Sequence, residues 1–235
     1  MIGIVIPAHN EQHTIADCLA AALEAARNPR LLGEPVLLVV VLDSCCDDTR
    51  YIVEAHGVEV LHVDARNVGV ARATGAEWLL AQGARWLAFT DADTCVSGDW
   101  LAEQLDLDAD VVCGTVAVDD WTPHGENAGL IRLHFSETYF DRDGHRHIHG
   151  ANLGVSADAY LRAGGFPRLA CSEDVAFVGA LQACGASIAW SARPRVTTSA
   201  RCQARAVGGF ADALLDAVAQ RLAAAAATGA RPLAM

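Results

Sequence analysis

The first ninety residues alternate between short apolar runs and amphipathic stretches, and this limits the fold more than any other feature of the chain. Ile2–Ile6, Val36–Leu42, Val58–Val63 and Arg85–Thr90 read as buried strands. Between them, Thr14–Ala26, Asp47–His56 and Gly69–Gln82 read as helices, the last two closed by Gly57 and Gly83. A βαβαβαβ order predicts a mostly parallel, twisted sheet with helices on both faces, because each parallel crossover needs a helix to bring the chain back. After Asp93 the rhythm loosens. Asp110–Val118 and Ser187–Trp190 read as further strands, and Asn127–Phe140, Ser156–Ala163, Ser172–Ala183 and Phe210–Ala227 as helices. No repeat or low-complexity linker interrupts the chain, so the expectation is an α/β single compact domain. Its role changes near residue 95, between segments 1–95 and 96–205, and a C-terminal helix and tail occupy 206–235.

Composition closes several routes. The 235 residues carry a formal net charge of -12, which opposes a general nucleic-acid binder. All 17 basic residues are arginine, so lysine Schiff-base and P-loop chemistry are both out of reach. The eight cysteines form no CxxC pair, which removes zinc-ribbon and thioredoxin readings and suits reduced thiols in a cytoplasmic protein. No basic segment precedes the Ile2–Ile6 run, so it is not read as a signal peptide. No apolar stretch is long and uninterrupted enough to span a bilayer.

Open parallel sheets bind ligands beyond the carboxyl ends of their strands. The polar clusters follow that rule: Pro7-Ala8-His9-Asn10-Glu11 after the first strand, Asp43 to Thr49 after the second, Asp64-Ala65-Arg66-Asn67 after the third and Asp91-Ala92-Asp93 after the fourth. A dinucleotide GxGxxG fingerprint is absent; Gly69 and Gly75 have the wrong spacing and no strand directly before them. Two carboxylates in an Asp-x-Asp turn can hold a hard divalent cation, and the cation can neutralise a diphosphate.

These segments, with Asn67-Val68-Gly69 and Ser172-Glu173-Asp174, resemble glycosyltransferase family 2, of the GT-A (Rossmann-like) fold, from residue 2 to about 190. The resemblance implies an enzyme that moves a sugar from a UDP- or GDP-linked donor to an acceptor hydroxyl by a metal-assisted, inverting single displacement. Residues 1–95 would be the nucleotide-sugar-binding half and 96–205 the acceptor-binding and catalytic half. Pro7, Ala8 and Glu11 match the first donor-binding segment, with Glu11 facing the ribose. Asp43 matches the acidic residue that reads the base edge, accepting from an imide N–H. Asn67 opens the segment from which Arg72 would meet the donor phosphates. Asp91, Ala92 and Asp93 match the metal motif for Mn²⁺ or Mg²⁺, Asp93 binding it most directly. Asp174 matches the general base, and His149, Gly150, Asn152 and Glu173 mark the acceptor side. Plainer readings stand beside these: Glu11 and Asp174 as acidic helix starts, Asp43 as a turn residue, Arg72 as a solvated helix arginine.

Some features depart from the family pattern. Leu42-Asp43 replaces a common Asp-Asp pair, which leaves the base open, and no histidine beyond His149 is present to complete the metal. Arg201 or Arg205 would instead meet the diphosphate as fixed cations. Asp141, Asp143, His145, His147 and His149 alternate, as a metal-binding strand face, an acceptor-pocket lid or an exposed loop would require. Two rival functions remain, a nucleotidyltransferase and a non-catalytic nucleotide-sugar-binding module. The acceptor is a small molecule, or a lipid reached from the inner membrane face, and the C-terminal helix is a candidate homodimer surface.

Overall fold

The computed structural model describes residues 1–202 and residue 219. In chain order the elements are β1 (Ile2–Ala8), α1 (Ile15–Ala25), β2 (Val36–Asp43), α2 (Thr49–Ala55), β3 (Glu59–Val63), α3 (Val68–Ala81), β4 (Trp86–Phe89) and β5 (Thr94–Val96). There follow α4 (Trp100–Leu105), β6 (Val111–Gly114), α5 (Ala128–Thr138), β7 (Leu153–Ser156), α6 (Ala157–Arg162), α7 (Glu173–Ala183), β8 (Ile188–Ser191) and β9 (Val196–Thr198). They fall into two compact units: Met1–Ala117 with Asp141–Thr198, and Val118–Phe140 with the chain from Ser199.

The first unit holds a seven-stranded sheet in the order β3-β2-β1-β4-β7-β6-β8, and a separate antiparallel pair of β5 and β9. Within the large sheet only β7 runs against its neighbours, so the sheet is mixed but mostly parallel, as the alternation predicts. β1 and β2 are continuous apolar runs because both their faces are covered. One face packs Val5, Val39, Leu87, Phe89, Leu153 and Val155 against α3, α6 and α7. On the other, Trp86 donates its indole N–H to Gln104 of α4 at 3.0 Å. Two glycines let α3 lie close on the sheet. A Cβ on Gly3 would come within 2.6 Å of Leu79, and one on Gly75 within 2.6 Å of Val5.

The strand expected over 110–118 ends at Gly114, where a Cβ would meet the Asn152 amide at 2.2 Å; beyond it only Ala117 bridges to Thr197. Helix α4 and strands β5 and β9 escape sequence periodicity because each is too short to show it. In the second unit, Trp121, Ile131 and Ala200 form a small core under α5, which fulfils the helix expected over 127–140. The expected helix at 210–227 and Arg205 lie outside the described residues. No helix among the described residues is long and apolar enough to cross a membrane.

Candidate active site

The strand order reverses between β1 and β4, and at such a switch the diverging crossovers leave a crevice beyond the carboxyl edge. The loops after β1, β2, β3 and β4 all leave from that edge. Because β7 is antiparallel, its start lies there too: Phe89 pairs with Leu153, which sets residues 149–152 beside residues 90–93. Backbone strain collects in the same loops. Among the described residues six non-glycine residues have positive φ; Asn10 (56°), Ser44 (53°) and Arg66 (47°) lie in these loops, and Ser172 (57°) lies just before α7.

Pro7 and Ala8 end β1 and pair with Val41 and Leu42 of β2. Pro7 lies past the last β1–β4 pair, at Val5 and Phe89, so its missing N–H breaks no ladder on that side. Glu11 is buried. Its backbone N–H donates to Thr49 Oγ1 at 2.7 Å, and its Oε2 accepts from Thr14 Oγ1 at 3.0 Å. Thr49, fully buried, in turn donates to Asp47 Oδ1 at 2.6 Å. This clasp between the first two loops was missed in sequence; the Asp-x-Thr spacing at a helix start is the signal that could have found it.

Asp43 is buried at the end of β2. Its Oδ1 accepts from the N–H groups of Ala65 (2.9 Å) and Arg66 (2.8 Å) and from Ser44 Oγ (3.0 Å), and its Oδ2 accepts from Asn67 N–H (2.7 Å). Burial pushes its pKa up, but the Asn67, Ala65 and Arg66 amides with Ser44 overcome that and hold it below the usual carboxylate range. A carboxyl with a depressed folded pKa adds stability above its unfolded pKa and loses it as pH falls through the folded value. Asp43→Asn is therefore expected to destabilise the protein by about 2 kcal/mol at pH 7, since its amide group turns N–H toward N–H. In urea unfolding at a series of pH values, the gap to the wild type narrows below about pH 4.

Asn67 caps α3: its Oδ1 accepts from Val70 N–H at 3.1 Å, and its Nδ2 donates to Arg168 carbonyl at 3.2 Å. Gly69 admits the 167–169 turn, because a Cβ there would sit 2.3 Å from the Pro167 carbonyl oxygen. The loop that leads into α7 is thus docked on the start of α3.

Asp91 and Asp93 flank buried Ala92 on the turn after β4. Thr94 N–H donates to the Asp91 carbonyl at 3.0 Å, and Cys18 Sγ of α1 reaches the same oxygen at 3.3 Å. Both carboxylates are half-buried. Thr94 Oγ1 bonds Thr198 Oγ1 of β9 at 2.9 Å, so the 196–198 stretch lies beside this turn. Arg201 belongs to the second unit. Arg72 is turned inward, 3 % exposed; it donates through Nη2 to Asp91 Oδ1 at 2.5 Å and through Nη1 to Glu173 Oε1. Asp174, half-buried, accepts at Oδ2 from Gly150 N–H at 2.9 Å and at Oδ1 from Val175 N–H at 2.8 Å.

Asn152 is fully buried, donating to the carbonyls of Thr115 (2.7 Å) and Pro194 (3.0 Å) and accepting from Trp100 Nε1 (2.9 Å). Its side chain ties β6, α4 and the loop before β9 together behind Gly150. His149 is enclosed by protein, which together with His147 and His145 holds its pKa down to about 4. The 141–149 segment forms no strand. Asp141 bonds Thr115 Oγ1 and Arg195, and Asp143 bonds Ser191 Oγ and Ala192 N–H. The three imidazoles stack, with ring centroids 5.6 and 6.2 Å apart. Among the described residues no group of three or more His, Cys, Asp or Glu side chains could hold a metal.

The chain matches the family model described as glycosyl transferase family 2 over residues 3–162. Among solved structures it is similar to Staphylococcus aureus TarS 1-349 in complex with UDP-GlcNAc, at 15% identity and a TM-score of 0.63, covering 94% of this chain and 66% of that one. It is similar to the mannosyltransferase PcManGT from Pyrobaculum calidifontis in complex with GDP-Man and Mn²⁺, at 19% identity and a TM-score of 0.59, covering 98% and 76%. A third similar structure is GalNAc-T7 with UDP, GalNAc and Mn²⁺, at 16% identity and a TM-score of 0.61, covering 86% and 44%. The chain spans about two thirds or less of the length of the TarS chains it matches. No curated protein matches it in sequence.

Proposed function

Since this chain belongs to glycosyl transferase family 2, we propose that it transfers a sugar from a nucleotide diphosphate donor to an acceptor hydroxyl with inversion. The observation that carries the reading is the meeting, at one sheet edge, of the Asp91–Asp93 turn with the Gly150–Asp174 pair. Asp174 then takes the proton from the acceptor hydroxyl as that oxygen attacks the anomeric carbon. Gly150 N–H holds one oxygen of the base. The backbone around His149 and Gly150 forms the acceptor side, and residues 1–95 the donor side.

The donor set fits an open cation site. Asp91 and Asp93 offer hard oxygens on an ordered turn, but Arg72 takes one Asp91 oxygen. Asp93 would then be the main protein group to hold the ion, with Asp91 beside it. Mn²⁺ or Mg²⁺ bound there supplies charge neutralisation for the departing nucleotide diphosphate. In the similar solved complexes, PcManGT and GalNAc-T7 carry Mn²⁺, TarS carries UDP-GlcNAc and PcManGT carries GDP-Man, which supports a UDP- or GDP-linked donor here. Base discrimination by Asp43 would use the remaining lone pair of Oδ2, which accepts one internal bond where Oδ1 accepts three. The proposed enzyme acts in the cytoplasm, on an acceptor that is a small molecule or a lipid headgroup.

The test is a panel of nucleotide sugars scored for nucleotide diphosphate release with Mn²⁺ and with EDTA. Metal-dependent release from one donor is expected. Pyrophosphate release from a nucleoside triphosphate would instead favour the nucleotidyltransferase, and binding without turnover of any donor–acceptor pair the binding module.

A further inference from the structure

The chemistry of the proposed transfer lies on two separate chain segments, 91–93 and 173–174, and the Arg72 side chain joins them. Arg72 projects from α3 and is 3 % exposed. One end of its guanidinium meets Asp91 at 2.5 Å, and the other meets Glu173, itself buried at the first turn of α7. The flat face lies against Gly150: a Cβ there would sit 2.3 Å from Arg72 Cζ. On the apolar side the Phe166 ring centroid is 5.7 Å away. Gly150 is the residue whose N–H holds Asp174. Arg72 therefore reaches Asp174 by two routes, through the neighbouring Glu173 and through the Gly150 peptide.

We infer that Arg72 is a positioning residue that yokes the donor-side Asp91 turn to the Asp174 loop, so that base and leaving group keep one geometry. The inference rests on the transferase reading above. A guanidinium suits the task because its planar fork can serve two carboxylates at once, whereas an ammonium is one point charge. The arrangement is fixed by burial: removing the cation would leave Asp91 and Glu173 facing each other with no counter-charge. Each Nη group of Arg72 is ion-paired to one carboxylate, and the inferred effect falls on geometry rather than on phosphate binding.

The test is a cycle of Arg72→Met, Glu173→Gln and the double variant, with Arg72→Lys as the conservative change. Each is first checked by thermal unfolding, and the double variant keeps the cycle readable if Arg72→Met folds poorly. Calorimetry with Mn²⁺ and UDP or GDP reads donor-site binding apart from turnover. Arg72→Met is expected to lower kcat by about 10²-fold, the scale of an ångström-sized misplacement, with nucleotide affinity changed only a few-fold. Arg72→Lys recovers part of that loss. Residues that act as one unit are non-additive, so the double variant is expected to be no slower than Arg72→Met alone. Additive losses in kcat, or a nucleotide affinity that falls as far as kcat/KM, overturn the yoke while leaving the transferase intact. A wild type that binds no nucleotide diphosphate and turns over no donor overturns both.

Discussion

Asp174→Asn is expected to lower kcat for transfer by about 10²- to 10⁴-fold, the range a positioned general base contributes, with donor affinity nearly unchanged. Asparagine keeps the shape, and the side chain is half-buried, so no charge is stranded by the change. Its carbonyl oxygen can still accept from Gly150 N–H, which Asp174 meets at 2.9 Å, while its NH2 turns toward the Val175 N–H that Asp174 Oδ1 accepts at 2.8 Å, so thermal unfolding is run beside the kinetics. Glu173 is no substitute base. It is 4 % exposed and bound to Arg72; burial, opposed by Arg72, leaves its pKa above the ordinary carboxylate value. The measurement is steady-state transfer beside calorimetric nucleotide binding. Turnover within a factor of about three of the wild type would return Asp174 to the plainer reading, an acidic helix start favoured by the dipole.

The layout of the site was legible because the βα rhythm forces every loop after β1 to β4 onto one edge, whatever the loops contain. Period-two and period-3.6 patterns survive in long elements, so β1, β2 and α3 appear in sequence within a residue or two of their observed bounds. What each polar side chain does at that edge was less legible. Asp43, Asn67 and Asn152 carry hydrogen bonds that organise loops, and such bonds depend on backbone turns 22 to 101 residues away in sequence. Arg72 is the sharpest case. On a helical wheel it is an arginine among alanines and glycines, as a solvated residue would be. Only the packing of α7 and of the turn after β4 against α3 reveals two carboxylates at its end. Short elements fail for a related reason: the three-residue β5 and β9 exist because each pairs the other, and no local pattern encodes that pairing.

Metal removal has the other large expected effect. Nucleotide diphosphate release by the wild type should fall by about 10³-fold or more in EDTA, because neutralising a departing diphosphate is worth several kcal/mol, and return on adding excess Mn²⁺. Asp93→Ala should match the EDTA result and resist rescue. The choice of Asp93 over Asp91 follows from the structure. Asp91 Oδ1 is held at 2.5 Å by Arg72, so Asp91→Ala would disturb the carboxylate yoke along with any ion. Asp93, half-buried on the same turn, is the carboxylate proposed to meet the ion, so its replacement tests the ion directly. With two carboxylates on this turn and no larger cluster among the described residues, affinity for the bare ion should be weak and should rise when nucleotide diphosphate supplies further oxygens. Calorimetry of Mn²⁺ with and without UDP or GDP separates those terms. If release were equal in EDTA and in Mn²⁺, the chain would have to neutralise the leaving group with arginines alone. Arg72, spent on two carboxylates, is poorly placed to do so.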